Sequence, residues 1–311
     1  MVGIVNIVTG ATQGIGLAIA ESIACHTPWS NNHYLFLVGR NEQRGNQAVE
    51  KIRQVCSTQN VYFEPCDLSE YNDVLNLQER ITKQIADENG YKINCLVNNA
   101  AECPKRQLLV ERPKIDGNTQ QVDKQFATNV LGYHLMIKVF QDHFYTTSDD
   151  VCEETQATSP STGTTTYVLN VASNWAGDLD LNDVSFLRRG YDNDSAYRQS
   201  KQCNRMLTKI WSGKIQDEGK YKVKMNSCHP GDPKTKLSVD LGYNMYSQSP
   251  TRQMIESQTP IPYLCGLKGN VQTTGGWFDG YSDRPSSCRF MKMTKESQQL
   301  YDMCEEFSSS T

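Results

Sequence analysis

The chain has 311 residues, 38% of them hydrophobic and 21% charged, and its 31 basic and 35 acidic side chains leave a formal charge of −4. With a mean hydropathy of −0.58, this is the composition of a soluble globular protein, and a chain this long can bury about 75% of its unfolded surface in one or two domains. No long Lys/Arg run is present to neutralise a phosphate backbone, which argues against a nucleic-acid partner, and no stretch reaches the roughly 18 apolar residues of a membrane span.

In chain order, short β-branched or apolar runs alternate with longer polar segments of helical period. Strands are predicted at 2–8 (VGIVNIV), 33–39, 61–65, 93–97, 165–171, 222–228 and 275–279, and helices at 14–25, 42–56, 69–88, 119–145, 194–218 and 249–257. The first run reads as a strand rather than a signal segment, so a cytoplasmic location is expected. Such alternation predicts an α/β fold, a Rossmann-type doubly wound parallel sheet of about seven strands with helices on both faces. Two segments interrupt it. Residues 147–163 (TSDDVCEETQATSPSTG) read as a polar surface insertion at the N-terminal edge of the strands, far from any chemistry. Residues 232–275 follow a strand at its C-terminal end and read as a substrate lid region. The 11 cysteines show no CxxC spacing and several lie inside apolar runs, which suits reduced packing thiols. The five histidines show no metal-ligand spacing, and no metal site is expected.

The first strand runs into TGATQGIG and then a helical pattern. Glycine suits a turn that needs positive φ or close approach to a phosphate, and the helix that follows offers free N–H groups to a pyrophosphate. Thr9, Gly10, Gln13, Gly14, Ile15 and Gly16 are therefore the first candidate cofactor contacts. The second strand ends in VGRN, where an NAD-preferring sheet places an acid on the ribose 2′-hydroxyl; Arg40 stands there instead and suits a 2′-phosphate. In SAYRQSK, Tyr197 and Lys201 are four apart on one helix face, close enough for an ammonium to favour the phenolate and make Tyr197 a usable acid or base.

Taken in order, TGATQGIG, NNAA at 98–101, a serine after the fifth predicted strand, YxxxK and HPG-x-x-x-T resemble the short-chain dehydrogenase/reductase family across essentially the whole chain. LFLVGRNEQRGNQAVEKI, QFATNVLGYHL, AYRQSKQCNRML and ESQQLYDMCEEF look like its branch of retinol dehydrogenases and related NADP-dependent carbonyl reductases. The resemblance implies NADP(H) as cofactor and a small lipophilic carbonyl or alcohol as substrate. Tyr197 would exchange a proton with the carbonyl oxygen, Lys201 would lower the Tyr197 pKa and hold the nicotinamide ribose, Ser173 would polarise the carbonyl, and Asn129 would support Lys201 through a water. Asp67, with Leu68 beside it, would contact the adenine. Asn98 to Ala101 (Asn99, Ala100 and Ala101 foremost) would line its ribose, Pro230 and Gly231 would pass under the nicotinamide, and Thr235 would lie near the carboxamide or phosphate. Trp175 could wall a lipophilic pocket.

Three departures stand out: Gln13 where the branch has Ser, Ala101 where it has Gly, and Pro233, which lacks the N–H that the family offers to the carboxamide. With Asp232 beside it, a weakened nicotinamide contact or a rerouted loop is expected. Because the motifs spread one site from Thr9 to Thr235, residues 1–311 read as a single domain. The competing reading is a nucleotide-binding structural subunit of a larger protein assembly with little turnover; a homodimer is compatible with either.

Overall fold

Runs such as Tyr34–Val38 alternate their side chains between the two faces of a sheet, and both faces here are covered. Tyr34, Phe36 and Val38 enter one core cluster while Leu35 and Leu37 enter the other. The computed structural model describes residues 1–85, 88–152, 164–242, 248–269, 271–279, 288–290 and 292–308. Its strands are β1 (Gly3–Thr9), β2 (His33–Gly39), β3 (Val61–Pro65), β4 (Tyr91–Asn98), β5 (Leu109–Pro113), β6 (Thr119–Asp123), β7 (Thr166–Val171), β8 (Val223–Cys228), β9 (Gly276–Phe278) and β10 (Cys288–Phe290). The main sheet runs β3-β2-β1-β4-β7-β8-β9-β10, with the first seven parallel and β10 antiparallel to β9. This is the Rossmann-type sheet read from the sequence, with one antiparallel strand added at its edge.

The helices are α1 (Gly14–His26), α2 (Glu42–Cys56), α3 (Tyr71–Gln84), α4 (Lys124–Phe126), α5 (Gly132–Phe140), α6 (Asn193–Glu218), α7 (Lys236–Asp240), α8 (Arg252–Gln258), α9 (Ile261–Leu264) and α10 (Lys295–Glu306). Residues from α3, α5, α6 and α10 fill one cluster, and residues from α1, α2, α8 and α9 fill the other. Local chemistry fixes the ends. Asp192 accepts the Ser195 N–H at 2.9 Å to start α6, and Gly219 ends that helix at φ +63°, where a side chain would be strained. No helix among the described residues is long and apolar enough to cross a membrane.

Three sequence readings change. The helix expected over 119–145 begins only at Lys124, because 119–123 pair with 109–113 in an antiparallel hairpin whose turn carries Asp116-Gly117 with Gly117 at φ +81°. Between α4 and α5, Ala127–Leu131 form one π turn within that helix. Only the first part of 232–275 borders the cleft described below; Met254, Ile255, Ile261 and Leu264 of α8 and α9 lie in the core against α1. Of the polar insertion, 147–152 form a 3₁₀ turn in which Lys92, from β4, lies 2.9 Å from Asp149, while 153–163 fall outside the described residues.

The C-terminal helix is tied down by a polar contact. Trp211 Nε1 donates to His134 Nδ1 at 3.1 Å, which places the imidazole proton on Nε2, 3.0 Å from Glu305; Lys138 donates to the other Glu305 oxygen at 2.6 Å. Burial lowers the His134 pKa, so this ring acts as a neutral donor. Burial alone would raise the Glu305 pKa, but the hydrogen bonds from His134 and Lys138 outweigh it and hold the carboxyl at about 2. A depressed carboxyl stabilises the fold above its unfolded pKa and loses that contribution as pH falls toward 2. Glu305→Gln is expected to lose about 2 kcal/mol of unfolding free energy at pH 7 and almost none near pH 2 by urea titration. An equal loss at both pH values would show that the charge is not what holds α10.

Candidate active site

The sheet order turns around between β1 and β4, so the chain leaves these two neighbours in opposite directions and opens a crevice beyond their C-terminal ends. A cavity of about 480 Å³ lies there. Its floor is backbone. Thr9 Oγ1 accepts the N–H groups of Asn99 (2.9 Å) and Ala100 (3.1 Å), and Asn99 Nδ2 donates to Thr9 O at 2.9 Å. Gly10 sits at φ +65°, where a Cβ would stand 2.7 Å from Ala100 Cα, and a Cβ on Gly16 would overlap the Gly10 carbonyl and the Asn99 amide. Gly14, at φ +63°, has open space to Thr235 Cγ2 at 3.9 Å. The first and third glycines thus let β1, β4 and α1 touch, and the second turns the chain. Together they present the first turn of α1 to the cavity as a cradle fit for a pyrophosphate.

Gly10, Gln13, Gly14, Ile15, Gly16, Arg40, Asp67, Leu68, Asn99, Ala100, Ala101, Pro230 and Thr235 line this one cavity, as do Tyr197 and Lys201. Thr9, fully buried, braces it from below. Asn98 is also buried and donates to Asn170 Oδ1 at 2.9 Å, so it works inside the sheet. Gly231 is left-handed (φ +83°) in the loop after β8. In that loop Asp232 turns back to within 3.2 Å of His229 Nε2, Lys234 N donates to Gln248 O at 2.7 Å, and Thr235 caps α7 through the Ser238 N–H.

Tyr197 and Lys201 occupy consecutive turns of α6. Lys201 is 2% exposed; its Nζ donates to Val171 O at 2.9 Å and lies 5.7 Å from the Tyr197 ring centroid and 5.5 Å from that of Tyr133. Burial drives its pKa down to about 7. Ser173, 6% exposed in the loop after β7, accepts the Trp175 N–H at 3.1 Å, and Arg205, stacked 3.6 Å over Trp277, donates to the Ser173 carbonyl. Trp175 itself is 47% exposed and donates to Asp194 at 3.1 Å, outside the cavity lining. Asn129 is buried in the π turn. Its Oδ1 accepts the Glu102 N–H (2.8 Å), while Nδ2 donates to Glu102 O (3.0 Å) and Ser200 Oγ (3.2 Å), so it clamps the loop after β4 to the residue beside Lys201. Cys203 is fully buried, and burial raises its thiol pKa, which removes it as an alkylation target in the native protein.

The sequence reading missed Thr12, Arg44, Thr128 and above all Glu102, which also line the cavity. Arg40 pairs with Glu102 and lies 3.5 Å from Asp67. Burial opposes a charged Asp67, but the Ser69 N–H (3.0 Å) and hydroxyl (2.8 Å), Lys124 (3.1 Å) and Arg40 together lower its pKa. Glu102 goes the other way, raised chiefly by burial.

A cleft of this size over a glycine turn, with a tyrosine and a buried lysine one helical turn apart on its lining, has the form of a dinucleotide site in an α/β protein. The family model for short chain dehydrogenases matches residues 5–150. Retinol dehydrogenase 13 of Mus musculus is 26% identical over 295 residues, covering 90% of this chain and 77% of that protein. Polyprenol dehydrogenase of Danio rerio is 26% identical over 240 residues, covering 77% and 61%. A short chain dehydrogenase from Shigella flexneri shares the fold at 18% identity and a TM-score of 0.57, covering 89% of this chain and 90% of that one. The chain is thus similar to short-chain dehydrogenases over residues 5–150 and to retinol dehydrogenases over most of its length.

Gly16, which is close-packed, and Gly14, which is not, give a stability test. Gly16→Ala must push backbone apart and is expected to cost about 1–3 kcal/mol, whereas Gly14→Ala meets open space and costs only the left-handed strain of about 1–2 kcal/mol. Urea unfolding of both variants checks the order; a larger loss at Gly14 would contradict the packing.

Proposed function

We propose that the protein is an NADP(H)-dependent oxidoreductase that interconverts a lipophilic carbonyl and its alcohol. The observation that carries the reading is a buried Lys201 on the wall of the cavity whose floor is the glycine turn, with Tyr197 on the preceding turn. An ammonium with no carboxylate beside it among the described residues, in so dry a place, is unfavourable for stability alone, and its value is chemical. Bound in the cleft, the dinucleotide would supply or accept the hydride.

The chain's own residues do the rest. Lys201 favours the ionised phenol of Tyr197, so that Tyr197 can give a proton to a carbonyl oxygen in reduction or take one from a hydroxyl in oxidation. Ser173 has its Oγ lone pair engaged by the Trp175 N–H, which leaves its O–H to donate to the same oxygen. Asn129 positions the loop after β4 and α6 against each other. Arg40 and Arg44, both on the lining, face the adenosine end and favour a phosphorylated ribose. The lipophilic substrate class draws on the relatives named for retinol and polyprenol. The structural-subunit alternative gives no reason for a lysine to be buried beside Tyr197 on the wall of this cavity.

Two outcomes test this. With NADPH and a panel of aldehydes and ketones, Tyr197→Phe is expected to lower turnover by about 100-fold or more while NADPH binding persists; tight NADPH binding with no turnover of any carbonyl would sink the reading. Because Lys201 keeps its charge below about 7 and sheds it above, kcat/KM for NADPH should fall as pH rises through neutrality. A flat profile from pH 6 to about 9 would remove Lys201 from the charged machinery.

A further inference from the structure

Resting on that reading of the cleft, we propose that Glu102 sets its cofactor preference: it holds Arg40 while the adenosine end is empty, and a ribose 2′-phosphate must take Arg40 from it. The two carboxylates near the guanidinium are not equivalent. Asp67 keeps Lys124, the Ser69 N–H and the Ser69 hydroxyl when Arg40 leaves, so its charge stays satisfied. Glu102 has Arg40 as its one direct ion pair among the described residues, and its side chain is only 14% exposed. Its backbone cannot swing away, because both its N–H and its carbonyl are bound by Asn129.

The charges then decide the binding. A 2′-phosphate carries about −1.5 to −2 at neutral pH and would meet Arg40 beside two acids, a repulsion that opposes its docking. The exchange leaves the Glu102 carboxylate enclosed and without its cation, so it takes up a proton. The groups facing it act in both directions. Asp67 opposes its ionisation and Lys124 and Arg40 favour it, while Asp123, itself raised to about 6 chiefly by burial, is a further acid that interacts with Glu102. NAD(H) makes no such exchange, because its 2′-hydroxyl can donate a hydrogen bond to a carboxylate and leave Arg40 paired. The site therefore accepts both cofactors with a narrower preference for NADP(H) than Arg40 alone would give, and that preference widens as pH falls. Lys201 also titrates near neutrality, but it lies at the nicotinamide end and affects both cofactors alike.

Calorimetric titration of the purified protein with NADP⁺ and with NAD⁺, at several pH values and in buffers of different ionisation enthalpy, reads affinity and proton uptake together. Glu102→Gln preserves the backbone contacts and shape; it is expected to tighten NADP⁺ about tenfold, leave NAD⁺ little changed, and abolish the uptake that the wild type shows with NADP⁺ beyond that with NAD⁺. The phosphate's own titration remains in both proteins and cancels in the comparison. An unchanged NADP⁺/NAD⁺ affinity ratio in the variant, or an excess proton uptake with NADP⁺ that is the same in variant and wild type, overturns the inference. In the wild type alone the NADP⁺/NAD⁺ affinity ratio should rise as pH falls from about 8 to about 6.5, above the phosphate's own pKa of about 6; a flat ratio overturns the inference even if the variant fails to fold. Failure of the wild type to bind either dinucleotide would overturn the proposed function instead.

Discussion

Everything at the active end of this molecule depends on the contact between the C-terminal ends of β1 and β4. The two strands meet there through Thr9, whose hydroxyl accepts two N–H groups from the opposite loop, and through Asn99, whose amide returns a hydrogen bond to Thr9. No side chain fits at Gly10 or Gly16. Backbone has to fill that space, and so the first turn of α1 is brought against the crevice with its N–H groups facing outward. The proposed phosphate cradle is a by-product of close packing, so its glycines would answer to two constraints at once.

The opposite wall is built around an unfavourable charge. Lys201 would be cheaper to place in water, yet it is enclosed by Val171, Tyr133 and Tyr197. The irregular π turn at Ala127–Leu131 belongs to the same arrangement, because it directs Asn129 toward both the loop after β4 and Ser200. One asparagine thus ties the loop that carries Glu102 to the helix that carries Tyr197 and Lys201. Through it the proposed adenosine end and the proposed reaction end share a support, so a change at Glu102 that disturbed its backbone would reach Ser200 and the helix that carries Tyr197 and Lys201.

Much of this was legible from the residues. Parallel strands buried on both faces read as continuous apolar runs, and the seven of them fell within two residues of their predicted limits at each end. Tyr197 and Lys201 declared themselves through helical spacing. What escaped had weaker local signals. The β5–β6 hairpin lies in a polar stretch whose Asp116-Gly117 turn was the available sign, and its second strand runs without a break into α4, which made both look helical. In α10, Thr294 caps Ser297 while Leu300 and Cys304 form a sparse buried stripe, easily taken for a tail. Glu102 could not be found by motif, since it follows NNAA without belonging to it; its importance comes from a guanidinium 62 positions earlier in the chain, at Arg40.

The central claim is that a single cleft, from the glycine turn to Tyr197 and Lys201, takes one extended dinucleotide. A crystal structure of the protein with NADP⁺ tests it most directly. The account predicts the pyrophosphate over the Gly14–Gly16 turn, the 2′-phosphate at Arg40 with Glu102 withdrawn from it, and the nicotinamide beside Tyr197 and Lys201. A dinucleotide bound elsewhere, or one whose nicotinamide lies away from Tyr197, would contradict it.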